Sequence, residues 1–349
     1  MPDRRGSRRW SETDAGTARD LFAAAVESVN AGAIDEGLDR FTEIGRRFEG
    51  HPDATVRAWA ANAQVTGAVV AGQTGSLERS AAEFGRLAGR YRGDPSPQVR
   101  CHAAAALFNH GLALAHLGRA DEAVARFDEV VRLFGADPDP LIAGEVAGAM
   151  ANKVKLLGQS SRFTEAAAAA DELAARFGDP GRDAAVREHV ASALATKAAV
   201  LFAAGGAAAA AAALAELTAR CSRDADAAVR TQVATAWDQQ GQLLAQTGDT
   251  DASAAAFTEV ERLFGEDGEL RAQVARAGYN KGVVLQRAGD WAGAEQAFSA
   301  VVSRFAGDPD ERIRDWVGRS RGNLPSERPA DFDSTWARVS RKLEERLRR

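Results

Sequence analysis

The side chains best suited to chemistry in this sequence are its five histidines and two cysteines, and their spacing argues against a metal site. His102 and His110 are eight residues apart, and His116 follows six residues later. A zinc-binding helix instead places two histidines four residues apart on one face. Cys101 and Cys221 lie in no CxxC pattern, so we interpret both as small buried apolar residues.

Motifs for nucleotide binding and nucleophilic catalysis are missing as well. No GxxxxGK[ST] or GxGxxG pattern follows a predicted strand, and Ser160-Ser161 has no GxSxG context. A column of aspartates recurs once per repeat at predicted helix starts, where N-capping explains it. We therefore predict that the protein is not an enzyme, with no catalytic residues, no metal and no cofactor.

The elements that position any binding site follow from an internal repeat of about 43 residues. One column is glycine with a single serine: Gly32, Gly75, Gly118, Ser161, Gly205, Gly248 and Gly289. Nine residues after each comes a column that is mostly phenylalanine: Phe41, Phe84, Phe127, Ala170, Leu214, Phe257 and Phe298. Matching columns over most of the chain indicate stacked copies of one structural unit.

Each repeat is predicted to fold as two helices, helix A of about 20 residues and helix B of about 15. In one repeat, Val99, Leu107 and Leu114 form an apolar stripe before Gly118, and Phe127 belongs to a second stripe after it. The glycine suits the left-handed residue that ends helix A. The predicted N-caps of the A helices are Asp53, Ser96, Asp139, Asp183, Asp226, Asp267 and Asp310.

These units resemble tetratricopeptide repeats. Gly111 and Leu114 fill the G-x2-Y slots of that family's pattern, and Ala123 with Phe127 fills A-x3-F. The resemblance covers about residues 13–323 and implies an all-α fold, a right-handed α-solenoid of stacked antiparallel helical hairpins. The period is about nine residues longer than is usual for the family, and HEAT-like hairpins are the alternative fold.

Three segments are expected: a disordered basic arm over 1–12, a solenoid of about seven repeats over 13–323, and a tail over 324–349. In the tail, prolines interrupt a linker before a helix whose apolar stripe would cap the last repeat. The alternative is a mobile basic amphipathic helix that binds a partner or a membrane surface.

The positive indication of function is a polar ladder on helix A. It consists of the positions that lie two, six and nine residues before each turn, and these positions share one face of the helix. The resemblance places this face in the concave groove, where it would bind a peptide or partner protein. Its candidate residues are Asn109, His116, Asn152, Lys155, Gln159, Thr196, Gln239, Gln242, Gln246, Asn280 and Arg287. The alternative is structural: an asparagine such as Asn280 would make a hydrogen bond between repeats.

We therefore expect a cytoplasmic, non-enzymatic scaffold or adaptor for a protein or peptide ligand, including a sensor of small signalling peptides as an alternative. The net charge is −5, and the basic residues are concentrated near both ends, so the body is acidic and unsuited to nucleic acid. Binding of nucleic acid or an acidic partner through the basic termini is the other alternative. The sequence predicts no membrane span and leaves the oligomeric state undetermined.

Overall fold

The computed structural model describes residues 10–11 and 13–324, which form fifteen α-helices and no strand. The odd-numbered helices α1 to α13 are the predicted A helices: Asp14–Asn30, Ala54–Gln73, Pro97–His116, Pro140–Gln159, Ala184–Ala203, Ala227–Gln246 and Arg271–Arg287. The even-numbered helices α2 to α14 are the predicted B helices: Ile34–Phe48, Leu77–Tyr91, Ala120–Phe134, Phe163–Phe177, Ala207–Cys221, Thr250–Phe264 and Trp291–Phe305. A final A-type helix, α15, covers Glu311–Asn323.

The predicted helix lengths are confirmed: five of the seven A helices have 20 residues, and every B helix has 15. The predicted all-α solenoid of helical hairpins is therefore correct. The predicted basic arm lies outside the described residues except at its end, where the Trp10 ring packs edge-on against His51 with centroids 4.4 Å apart. The predicted C-terminal capping helix also lies outside the described residues.

The chain divides into two compact units, Met1–Val233 and Ala234–Arg349. In the first unit, each A helix from α1 to α7 packs against the following A helix, and each B helix from α2 to α8 packs against the next A helix. In the second unit, α13 packs against α12, α14 and α15. A hairpin thus covers its apolar side with the next hairpin, as expected for a repeat array.

The helix ends follow the predicted turn chemistry. All six glycines of the turn column have a positive φ, and Ser161 adopts the same left-handed conformation with a φ of 59°. Five of the predicted aspartate caps accept a hydrogen bond from a backbone amide at the N-terminus of α3, α7, α9, α11 or α15. Asp267 is an exception: α13 begins at Arg271, so Asp267 instead accepts from the amide of Glu269 in the preceding turn.

The two helices of a hairpin fit together through paired side-chain sizes. The ring of Phe127 lies against the backbone of Gly111: a Cβ built on Gly111 would be 2.5 Å from Phe127 Cε1. In the next repeat the sizes are exchanged, because Val154 and Ala170 occupy the corresponding positions on α7 and α8, and both are fully buried. A large residue on one helix is therefore matched by a small residue on its partner.

A recurring ion pair also joins consecutive repeats. Arg187 on α9 donates from Nε and Nη2 to both carboxylate oxygens of Asp224, at 2.7 and 2.9 Å. Arg57 makes the same two-point contact with Asp94 and donates from Nη1 to the carbonyls of His51 and Pro52. The guanidinium thus satisfies loop carbonyls and pairs with the next repeat, a recurring role that the sequence patterns did not predict.

Candidate partner-binding site

The candidate site lies on the A helices of the first unit, which pack side by side from α3 to α9. Apolar residues of each A helix face the B helices, which leaves a face on which positions seven residues apart line up. The polar ladder is on this face. Because four such helices are adjacent, the face forms one continuous surface with one rung from each repeat.

A groove of about 480 Å³ on this surface crosses α3, α5 and α7. Its lining is mixed, with an aromatic ring, an aliphatic side chain, a thiol, an imidazole and a carboxyl group. The lining residues are Thr55, Ala58, Trp59, Asn62, Gln98, Cys101, His102, Ala105, Leu141 and Glu145.

Two side chains supply the apolar character of the groove. Leu141 is 62% exposed, which is unusual for leucine, and it stands at the start of α7 directly after Pro140. The indole of Trp59 is half-buried and is supported from α1 by Phe22, with ring centroids 5.4 Å apart. Because a held ring loses little conformational freedom on binding, Trp59 is suited to anchor an apolar group of a ligand.

Two titratable groups face the same groove without a partner among the described residues. Burial raises the pKa of Glu145 to about 7, and burial lowers the pKa of His102 to about 4. Both shifts have the same cause: a half-buried group without a compensating charge disfavours its ionised form. Burial likewise raises the pKa of the Cys101 thiol, whose Sγ contacts the carbonyl of Gln98 at 3.0 Å.

The predicted ladder residues of the first unit lie on this face with two degrees of exposure. Those nearest the turns are exposed: His116, Lys155 and Gln159. Asn109 and Asn152 are half-buried, and each donates from its amide nitrogen to the carbonyl four residues earlier, at 2.8 and 2.9 Å.

Thr196, the third half-buried rung, does the same with its hydroxyl, at 2.9 Å from the carbonyl of Ser192. The three half-buried rungs therefore already use a donor within their own helices. A ligand could therefore donate hydrogen bonds to the side-chain oxygens of these rungs, which remain free to accept.

In the second unit, part of the ladder is engaged in structure. Asp238 is 3% exposed and accepts hydrogen bonds from Asn280 Nδ2 at 3.0 Å and Gln242 Nε2 at 2.7 Å, with Arg276 Nη2 at 3.4 Å. These contacts fit the structural alternative for Asn280 and Gln242, because they satisfy a buried carboxylate. The remaining predicted rungs of this unit are exposed: Gln239, Gln246 and Arg287.

The sequence patterns missed a rung that lines the groove. Trp59, His102 and Glu145 each stand sixteen residues before the turn of their repeat, which is seven residues before the first ladder column. His189 is the equivalent residue on α9. Extending the seven-residue spacing by one further step towards the helix N-terminus would have found them. Mixed residue types concealed this column, since it contains an aromatic, two imidazoles and a carboxyl group.

Residues 105–135, which cover most of α5 and all of α6, match the family model described as tetratricopeptide repeat. This hairpin matches a tetratricopeptide repeat. The match covers the hairpin in which Gly111, Leu114, Ala123 and Phe127 carry the resemblance, and the other hairpins share its column positions. No curated protein matches the sequence.

Among solved structures, this chain is similar to a tetratricopeptide repeat protein from Parabacteroides merdae, with 12% identity over 88% of this chain and 99% of that one, at a TM-score of 0.45. It is also similar to the apo form of RapI, with 12% identity over 88% and 97% of the two chains and a TM-score of 0.46. A Rap protein complexed with competence and sporulation factor has 11% identity over 88% and 80%, with a TM-score of 0.41.

Two further observations concern the described part of the chain. None of its helices combines the length and apolar character that crossing a bilayer requires. In the same residues, no three side chains of the metal-ligating types His, Cys, Asp and Glu are grouped closely enough to hold an ion.

Proposed function

We propose that this chain is a non-enzymatic interaction scaffold that binds a peptide or a segment of a partner protein along the A-helix face of its first unit. The observation that carries the proposal is the groove across α3, α5 and α7, where the exposed Leu141 and the held Trp59 lie beside unpaired polar groups. A folded chain gains nothing in stability from an exposed leucine, whereas a binding site gains affinity from it.

The chemistry of the groove also indicates what kind of segment it binds. An apolar side chain of the ligand would pack against Leu141 and Trp59, and the half-exposed rungs offer hydrogen bonds to its backbone. Glu145 lacks a cationic partner among the described residues, so a lysine, arginine or amino group of the ligand would stabilise its ionised form. We therefore expect a ligand that has an apolar residue and a positive charge close together.

Selection from a displayed library of random twelve-residue peptides tests the proposal, since it requires no assumption about the identity of the partner. The test variant is Leu141→Asp, which alters an exposed side chain and leaves the core untouched. Trp291→Asp is the matched control, because Trp291 is a large exposed apolar residue of the second unit, 66% exposed. Peptides enriched on the wild-type protein should bind Trp291→Asp equally and lose at least tenfold in affinity for Leu141→Asp.

A second variant tests the charge preference. Glu145→Gln keeps the shape of the side chain and removes its charge, so selected peptides with a basic residue should bind it several-fold more weakly above pH 7. Since the pKa of Glu145 is about 7, wild-type affinity for these peptides should rise between pH 5.5 and 8.5 and level off above that range. Peptides that bind Leu141→Asp and wild type alike would refute the assignment of this groove.

A further inference from the structure

A second cavity, of about 750 Å³, lies in the first unit between the B helices α2 and α4, with α3 as its floor. It is formed by a different face of α3 from the partner-binding groove, because none of the lining residues of the two is shared. Phe41 and Ala68 form part of its apolar floor, and charged side chains form its rim. Its volume falls within the range of small-molecule sites, about 300 to 1,000 Å³.

The cavity exists because α3 lacks two side chains that the later A helices carry. Ala71, four residues before the turn, stands where later A helices have leucine: Leu114, Leu157, Leu201, Leu244 and Leu285. Gly67, eight residues before the turn, stands where they have a long or aromatic polar residue: His110, Lys153, Lys197, Gln240 and Lys281. The two positions are four residues apart, so they leave one continuous space along a single helix face.

In other repeats this space is filled by a lysine paired with acidic groups of the B helices. Lys197 on α9 forms ion pairs with Asp171 on α8 and with Glu216 on α10, the second at 3.2 Å. Lys153 on α7 likewise contacts Asp128 on α6 at 2.5 Å. A partly buried cation paired with carboxylates thus closes the space between neighbouring B helices.

Around the cavity the charges are reversed. Arg86 on α4 occupies the position at which five other B helices carry glutamate: Glu43, Glu129, Glu172, Glu216 and Glu259. Thr42 on α2 replaces the aspartate that pairs with lysine in the α6 and α8 repeats. The lysine of the other repeats and its acidic partners are therefore both missing, and the guanidinium of Arg86 lies on the cavity wall instead.

The rim as a whole is weakly positive. Four arginines and three carboxylates line it: Arg46, Arg79, Arg86, Arg90, Asp35, Glu49 and Glu83. Arg86 pairs with Glu83 and donates to Gln64 Oε1 at 3.4 Å, which leaves part of its five-donor fork free. Arg79 makes no hydrogen bond within the described residues, so an anionic group entering the cavity would find unused donors.

We propose that this cavity binds a small amphipathic carboxylate. Its apolar body would lie over Ala71, in the space that leucine fills elsewhere, and its carboxylate would point past Gly67 towards Arg86. Such a ligand would replace both missing side chains. Its negative charge is opposite to that of the lysine in other repeats, just as Arg86 is opposite in charge to the glutamate that it replaces. The site is separate from the proposed partner-binding groove and does not depend on it.

Isothermal titration with octanoate, below its micelle concentration, tests the proposal on the full-length protein. Octan-1-ol and octylammonium are the comparison ligands, because they keep the chain and remove or reverse the charge. We expect saturable one-to-one binding of octanoate, at least fivefold tighter than octan-1-ol and tighter still than octylammonium. Equal binding of the three ligands, or no saturable octanoate binding, would overturn the proposal.

Two variants locate the site. Ala71→Leu installs the residue of five other repeats and should weaken octanoate binding at least tenfold, with an unchanged or higher melting temperature. We prefer Ala71→Leu to a substitution of Gly67, because a Cβ at position 67 would lie only 3.2 Å from Phe41 Cβ. Arg86→Gln should reduce octanoate affinity to that of octan-1-ol, whereas Arg132→Gln, on the exposed side of α6, should leave it unchanged.

Wild-type affinity in Ala71→Leu would place the ligand elsewhere and refute the assignment. Leu141→Asp tests whether the cavity and the partner-binding groove are independent. This variant should bind octanoate with wild-type affinity even though it no longer binds the selected peptides. Either proposal can therefore fail while the other stands.

Discussion

Exchanging the packing pair of one hairpin for that of another tests how the repeats are held together. Gly111 and Phe127 form the pair in the α5–α6 hairpin, and Val154 and Ala170 form it in the α7–α8 hairpin. We predict that Gly111→Val and Phe127→Ala are each destabilising, and that the double variant is more stable than Phe127→Ala alone. The reason is that the double variant reproduces a pair which the chain already uses.

The magnitudes follow from the geometry. Phe127 is 1% exposed, so its truncation should cost about 3 to 5 kcal/mol in the free energy of unfolding. A Cβ on Gly111 would lie 2.5 Å from Phe127 Cε1 and 2.9 Å from Cδ1, well inside van der Waals contact. Gly111→Val therefore forces the ring to move, at about 1 to 3 kcal/mol or more. With the ring gone the valine fills part of the cavity, which gives a favourable coupling energy on the order of 2 kcal/mol.

Urea unfolding of the four proteins of this double-mutant cycle, followed by circular dichroism, supplies the coupling energy. Hydrogen exchange in α5 and α6 adds a local measurement, because repeat arrays can unfold in parts. The reciprocal exchange, Val154→Gly with Ala170→Phe, is the matched control and should show coupling of the same sign. Costs that add to within about 0.5 kcal/mol would mean that the paired sizes do not determine hairpin packing.

Three further outcomes are expected. Glu145 has a folded pKa of about 7, above its ordinary value, so its ionisation opposes folding as pH rises. Glu145→Gln should therefore raise the free energy of unfolding by about 3 kcal/mol at pH 8 and leave it nearly unchanged near pH 4.5, in urea titrations. Hydrogen bonding from Arg187 lowers the pKa of Asp224, so Asp224→Asn should cost about 1 kcal/mol at neutral pH, a difference that vanishes as wild type is acidified below the ordinary carboxyl pKa. Gly118 has a φ of +76° and open space around it, so Gly118→Ala should lower stability by about 1 kcal/mol through backbone strain alone, visible as a lower melting temperature.

The carboxylate proposal draws on a property of repeat arrays. Equivalent positions in successive repeats show what a position usually does, so an exception stands out against its own chain. Gly67 and Arg86 are such exceptions at the second cavity. Together they leave a space without the side chain and the charge that the later repeats place there.

The helix lengths, the turns and the apolar columns were determined by the sequence itself. Each depends on interactions within one hairpin: a glycine such as Gly118 is needed where φ is positive, and Asp139 caps the helix that begins at the next residue. Repetition strengthened these local patterns, since the same requirement recurs at each copy.

The sites were decided by tertiary structure. Whether Asn280 contacts a ligand or the buried Asp238 depends on the helix packed beside it, and the pKa of Glu145 depends on how far the neighbouring A helices exclude water. The cavity over Gly67 exists only because α2 and α4 enclose the space that a missing side chain leaves. Such properties arise from surfaces contributed by several repeats, and no column taken alone contains them.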